Sequence, residues 1–386
     1  MLPARVFIPH PPNPTQEDIF SSSLSALFTD DTQNSHGIPG QSVIYNSPRH
    51  GEIKLGIPQH PDVEEGRKLF AHYLWNAGVV AADAIETASN DRRIDDSEDG
   101  KVSYNKEYWD MRGKDVLELG AAKNREEARR WQAAELRAKH NFQLTGTALP
   151  STISALSSAR SVTISDHSSS PAIINDTIAH NVKENLHIKL VSSQTTDDTT
   201  NETSTPPQPP RTNTTISIHG LTWGDELFTS STQYGKPADP QPPKHSFDKI
   251  IIADCLWMPS QHANLVKTIN SYLREKDEDE DHEGQACALV IAGFHTGRSI
   301  VARFFEIATG SRLGSGETAG EQEIRCNDEE EEEEDEDVRQ VKGILIAAEI
   351  FEIDVDCNVR PWLAERPGES KDHAKRWCVC AALVRR

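Results

Sequence analysis

Val116-Leu117-Glu118-Leu119-Gly120-Ala121 reads as an apolar strand that runs into an acidic-apolar pair and then a glycine. A doubly wound α/β domain presents its first strand and turn to an adenine-nucleotide-like ligand in this way. Gly120 lets the backbone approach such a ligand closely, where a β-carbon would stand in the way. The turn that should follow is interrupted after Ala122 by residues 123–145, and Gly146-Thr147-Ala148-Leu149-Pro150-Ser151 reads as its remainder.

Spacing supports that division. An acid that binds ribose is expected about 20 residues beyond the first glycine, at the tip of the second strand. The second strand is Ser161-Val162-Thr163-Ile164-Ser165, ended by Asp166, 46 positions after Gly120. Subtracting the 23 residues of 123–145 leaves 23. The interrupting stretch has six Lys/Arg against three Glu in a chain of net charge −21, and its composition is helix-forming. Two readings are open: a helical excursion from the ligand loop, or untranslated gene sequence carried into the protein.

The 386 residues overstate the core. Low apolar content sets aside 192–215, 230–246, 276–284 and 314–337 as stretches not expected to pack. The last ends in ten consecutive acids, Asp328 to Asp337, about half the net charge of −21. This run is either a solvated, self-repelling loop or a long-range attractor for a basic partner. With no basic stripe outside 123–145, direct nucleic-acid binding is not expected. Residues 1–52 are expected as an N-terminal extension, and 53–386 as one domain carrying the insertions.

The cysteines Cys255, Cys287, Cys326, Cys357, Cys378 and Cys380 show no paired C-x-x-C spacing, so no metal site is expected. Free, mostly apolar cysteines suit a reducing compartment. No apolar run reaches ~18 residues, and no secretory segment opens the chain. The expectation is a soluble, cytoplasmic protein away from membranes, acting as a monomer.

The order of elements alternates. Helical spacing runs through Leu69, Tyr73, Ala77, Val80 and Ala84, with Trp75 on that helix. Strands are expected at 115–119, 161–165, 216–219, 247–253, 286–293, 341–352 and 377–384, and helices at 150–159, 171–184, 261–274 and 299–309. This predicts an α/β fold: a seven-stranded, mostly parallel, twisted sheet with helices on both faces and an antiparallel closing pair. Gly120, Asp166, Ala253-Asp254 and Phe294-His295 all fall at carboxyl ends of strands, where such sheets bind ligands.

Asp166 is a candidate to accept hydrogen bonds from ribose hydroxyls, although an aspartate there also forms turns. Asp254 is expected to face the cleft and Trp257 to wall it; the alternative is a capping acid and a core indole. Trp223, between Gly220 and Gly224, could stack on a purine. Trp75 is open between core and ligand contact. His295 and His262 are proton acceptors by residue type, and histidines of this kind are more often structural. No nucleophilic triad or phosphate loop is present in the sequence.

Together these pieces resemble the seven-strand S-adenosylmethionine-dependent methyltransferases, the class I, Rossmann-like group. More narrowly, the chain is similar to fungal proteins once called nicotinamide N-methyltransferases. That group is now placed with the methyltransferases of the N-terminus and an adjacent lysine of elongation factor 1-alpha. The matching stretches are Leu74–Gly78, Val116–Ala122 resumed at Gly146–Ser151, Asp166, Trp223-Gly224, Phe247–Gln261 and Ala292–Arg298. The resemblance implies that Trp75, Gly120, Ala121, Ala122, Asp166, Trp223 and Ala253 surround the cofactor S-adenosyl-L-methionine. In this reading the glycine turn holds the methionine part, Asp166 the ribose, and Trp223 and Ala253 the adenine and methyl-donor region.

Methyl transfer from a sulfonium is an in-line displacement by a neutral amine, so the protein chiefly aligns the reactants. An α-amine loses its proton near pH 7.7–8.0, roughly, and lysine near about 10.4, which makes the N-terminus the easier nucleophile. On this hypothesis Asp254 and Trp257 are the catalytic pair: Asp254 orients the amine and Trp257 lines its channel. The expected function is an N-methyltransferase acting on a protein partner, elongation factor 1-alpha. The alternatives are methylation of a small amine such as nicotinamide, or a cofactor-binding protein without turnover if 123–145 is translated. A dinucleotide dehydrogenase is weaker, because the turn lacks the three-glycine fingerprint.

Overall fold

The computed structural model describes residues 2–9, 15–16, 35–38, 40–58, 73–90, 102–120, 146–168, 170–188, 211–231, 236–275, 284–314 and 335–386. Ala121, Ala122, the stretch 123–145 and Cys326 lie outside the described residues, as do most of 192–215, 276–284 and 314–337.

A single large sheet organises the chain. Its strands are β1 (Asp115–Leu119), β2 (Ser161–Asp166), β3 (Thr215–Gly220), β4 (Thr229–Ser230), β5 (Lys249–Ala253), β6 (Cys287–Gly293), β7 (Leu345–Asp354), β8 (Val359–Pro361) and β9 (Trp377–Arg385). The spatial order is β8-β7-β9-β6-β5-β1-β2-β3-β4. The pairs from β6 through β3 are parallel, and β9 runs antiparallel to both β6 and β7. The sheet therefore has nine strands among the described residues where seven were expected. The additional β4 and β8, two and three residues long, sit at its edges and are too short to leave a period in the sequence.

The central strands read as near-continuous apolar runs because the sheet is covered. Successive residues enter different clusters. Val116, Ile251 and Leu289 pack with helices α1 (Asn76–Ala88), α2 (Leu149–Leu156) and α3 (Thr177–Leu186). Leu117, Ile250 and Val290 pack with α4 (His262–Tyr272) and α5 (Arg298–Thr309). This alternation is the period-2 rule of a strand.

Several boundaries move for local reasons. α1 begins at Asn76; Trp75 lies before it in extended backbone, paired through the short strand Leu74–Trp75 with Ser35–His36. Trp75 is thus not on the helix. The helix expected over 171–184 is broken by Asp176 at φ 54°, which separates Pro171–Ile174 from α3. Part of 230–246 packs after all: the Gln241 side-chain amide bonds the backbone of Phe228 and Ala238, and Ala238 is buried. Proline-rich chain can be held this way because prolines bring no N–H to satisfy.

A boundary at residue 52 falls inside the hairpin of Ser42–Ser47 and Gly51–Gly56. Asn181 and Asn185 of α3 accept the Gly56 and Lys54 amides at 2.7 and 2.9 Å, and Val43, Tyr45, Ile53 and Leu55 join the first cluster. The hairpin is part of the domain's packing. Among the described residues no helix is long and apolar enough to cross a membrane, and no metal-binding group of His, Cys, Asp or Glu occurs.

Candidate active site

The parallel register brings the strand ends level: Leu119 lies beside Ser165 and Ile252, and Ala253 beside Ile291. A cleft opens there. Trp75, Glu118, Gly120, Ala253, Asp254 and Trp257 line it, with Gly146, Thr147 and His295. Its position at the carboxyl ends of the strands suits a ligand.

Gly120 is required by the protein itself. A β-carbon there would stand 2.7 Å from the Ser165 carbonyl oxygen and 2.9 Å from Asp166 Cγ. The Gly120 amide donates to that same carbonyl at 2.8 Å. The neighbouring strand fills the space that a side chain on Gly120 would need.

Asp166 is 1% exposed and does not line the cleft. Its carboxylate accepts from the His167 amide at 2.7 Å, the Ser170 hydroxyl at 3.1 Å and the Gly146 amide at 3.2 Å. Burial outweighs these donors and pushes its pKa up to about 8. This acid holds the turn at its base: the chain leaves at Gly120 and returns at Gly146 against one carboxyl group.

Glu118 also lines the cleft, a place that the motif alone does not assign to it. It points from β1 into the cleft, and its Oε2 accepts the Ser151 amide at 2.9 Å in the first turn of α2. Burial raises its pKa, with the Ser151 hydrogen bond opposing. The signal was present, since a carboxylate inside an apolar strand needs a partner or a ligand.

Asp254 follows β5 with φ 60°, a left-handed backbone that is costly outside glycine and concentrates at functional sites. Its amide donates to Ile291 O at 2.7 Å, and its Oδ1 accepts the Gly293 amide at 3.2 Å. The same oxygen stands 3.8 Å from His295 Nδ1. Burial raises the Asp254 pKa, and the neighbouring His295 works against that rise. The His295 ring lies on Trp75, centroids 4.6 Å apart and planes 17° from parallel.

The loop bearing His295 is anchored. Arg298 at the start of α5 donates to the fully buried Glu352 at 2.5 Å and to Glu369 at 2.8 Å, with its guanidinium 4.0 Å over Phe294. Arg360 closes the same network on Glu352 and Glu369 at 2.7 and 2.5 Å.

Of the residues expected around the ligand, Trp75, Gly120, Ala253, Asp254 and Trp257 meet at the cleft. Ala121 and Ala122 lie outside the described residues. Trp223 is 3% exposed and packs in the second cluster, away from the cleft lining. The following Gly224, at φ 84°, donates to Thr268 Oγ1 at 2.8 Å and so folds the loop down onto α4. His262 is core as well: its Nε2 meets Leu256 O at 2.9 Å and its ring abuts Phe304. Burial pushes its pKa down to about 4.

No family model matches the chain. Curated fungal proteins do. The protein N-terminal and lysine N-methyltransferase efm7 of Schizosaccharomyces pombe is 25% identical over 270 residues, which cover 69% of this chain and 70% of that protein. The protein of the same name from Emericella nidulans is 24% identical over 214 residues, 54% of this chain and 55% of its own length. That of Gibberella zeae is 26% identical over 204 residues, 53% of each. The chain thus spans about half the length of two of these proteins. By these matches it is a relative of the fungal protein N-terminal and lysine N-methyltransferases, which are enzymes.

Proposed function

We propose that the chain is an S-adenosylmethionine-dependent N-methyltransferase that acts on the N-terminal amine, and on an adjacent lysine, of elongation factor 1-alpha. The observation that carries the reading is the cleft at the strand ends. It combines flat indoles with the buried carboxyl groups of Glu118 and Asp254. Indole faces attract cations by about 0.5–2 kcal/mol, and a carboxylate complements positive charge. These residues fit a donor with a flat base and a positive sulfur. The fungal matches bear these activities in their names.

Bound there, the cofactor supplies an electrophilic methyl group. Trp75, Gly120 and Ala253 form the walls that hold it, and Asp166 fixes the turn beneath. Trp223 leaves the contact set and keeps the loop after β3 in place. Asp254 receives the incoming amine beside Trp257, and desolvation in the cleft favours the neutral amine. The seven-strand methyltransferase layout fits this sheet with β4 and β8 as edge additions. A net charge of −21 favours a basic protein over a small neutral ring as substrate. The reading also places the enzyme in the cytoplasm.

The test pairs calorimetric titration of S-adenosylhomocysteine with methyl transfer to a peptide carrying the N-terminal sequence of fungal elongation factor 1-alpha. Micromolar binding and label on the α-amine and the adjacent lysine are expected. Binding without transfer to any amine overturns the enzymatic reading, and label on nicotinamide instead of the peptide overturns the substrate.

A further inference from the structure

The stacked Trp75–His295 pair borders two hollows. The main cleft is one. The other is smaller and adjoins Asn76, Gly293, Phe294, Lys375 and Cys378; Trp75, Asp254 and His295 border both. The imidazole is bordered on three sides. Its face lies on Trp75, its Nδ1 faces the Asp254 carboxylate, and a β-carbon on Gly293 would stand 3.3 Å from that nitrogen. Gly293 thus leaves room for the ring while its amide holds the acid. Three residues on, Arg298 ties the loop to the buried Glu352. Such anchoring is what a proton-transfer group needs, since its geometry must be set before the reaction.

We propose that His295 is the proton acceptor for the amine that enters the cleft, with Asp254 orienting its ring. The inference rests on the methyltransferase reading above and adds the group that neutralises the nucleophile. Other bases of the region are committed elsewhere. Glu118 holds the Ser151 amide, and the Nε2 of His262 meets a carbonyl in the core. The titratable groups around the ring are Asp254, Lys375 and Cys378 on one side, and Glu118, Tyr73 and Cys255 across the cleft.

The step balances. A substrate ammonium gives one proton to the imidazole and becomes a neutral amine. The nitrogen lone pair forms the N–C bond, and the C–S bond breaks with its electron pair left on sulfur. The imidazolium then returns its proton to water. The net products are a methylated ammonium, a neutral thioether and one proton.

The test uses the full chain, its donor and the elongation-factor peptide, with His295→Phe and His295→Gln. The phenyl ring keeps a face on Trp75 and removes both nitrogens, so it separates stacking from proton transfer. Calorimetry with S-adenosylhomocysteine and thermal melting are run on each variant. The expected result in both is a fall in kcat at pH 7 of about 100-fold or more for methylation of the lysine, which is almost wholly protonated there, and of at most about tenfold for the α-amine. KM for the peptide and binding of the donor product stay within about threefold. The pH–rate profile should also change, with kcat climbing steadily as the medium frees the amine without help. A kcat loss on the lysine below tenfold, or one matched by equal loss of donor-product binding, overturns the proposal and leaves the methyltransferase reading standing. A wild-type chain that binds the donor product and methylates no amine overturns both.

Discussion

Asp166 and Asp254 are the same residue type at the same edge of the sheet, one after β2 and one after β5. They are used in opposite ways. Asp166 accepts three hydrogen bonds from its own chain and is shut away from the cleft. Asp254 accepts one, from Gly293, sits in a strained backbone, and faces both the cleft and His295. Both pKa values are raised by burial. A perturbed acid at a strand end is therefore not by itself a ligand contact. What separates the two is how many donors the protein has already supplied.

The largest effect that tests this contrast is Asp254→Ala. Turnover of the elongation-factor peptide should fall by about 100-fold or more, in the range of a lost positioning or acid–base group. Binding of S-adenosylhomocysteine should change little. Full turnover in this variant would remove Asp254 from the chemistry. Asp166→Ala should do the converse. It strands the His167, Gly146 and Ser170 donors, at about 1–3 kcal/mol for a buried polar group left unpaired. Denaturant unfolding should register that loss, and wild-type stability in the variant would break the distinction.

A subtler effect comes from pH. In the folded protein Asp166 titrates at about 8, above the ordinary carboxyl range near about 4. A raised pKa means that the folded state keeps a proton which the unfolded chain releases. The stability from this group is fully present below about pH 4 and is lost as pH rises through about 8. Melting temperature should decline over that window, and Asp166→Asn should flatten the decline. An identical slope in wild type and variant would assign the pH dependence to other groups.

Much of this arrangement could be read from the chain before any coordinates. The buried strands are written in it: Ile250-Ile251-Ile252 and Ala288-Leu289-Val290-Ile291 need coverage and tolerate few other settings. Strand-end positions then follow, and with them Gly120, Ala253 and Asp254. Side-chain surroundings are less legible than strands. Trp223 was placed against a ligand because a tryptophan between glycines looks exposed; its burial depends on the Gly224 turn and on α4, which local sequence does not report. Of the donors to Asp166, His167 and Ser170 lie within four residues of it, and Gly146 comes from across the turn, 20 positions back. The partnership of Trp75 with His295 spans 220 positions and leaves no periodic trace. Glu118 is legible as an acid in an apolar run, Val116-Leu117-Glu118-Leu119, where burial calls for a partner.

The meeting of both turn ends on Asp166 has a consequence for how the molecule can be edited. Chain exit at Gly120 and re-entry at Gly146 both lie against Asp166, so the two ends are near one another. Loop-closure entropy grows only logarithmically, and shortening this segment from 25 residues to two recovers about 2 kcal/mol. Excision of 123–145 should therefore raise the unfolding midpoint, and a destabilised product would show that the segment packs on the core. The same geometry marks the point between Gly120 and Gly146 as a splice port, where a reporter domain with adjacent termini could be seated beside the cleft without moving the sheet.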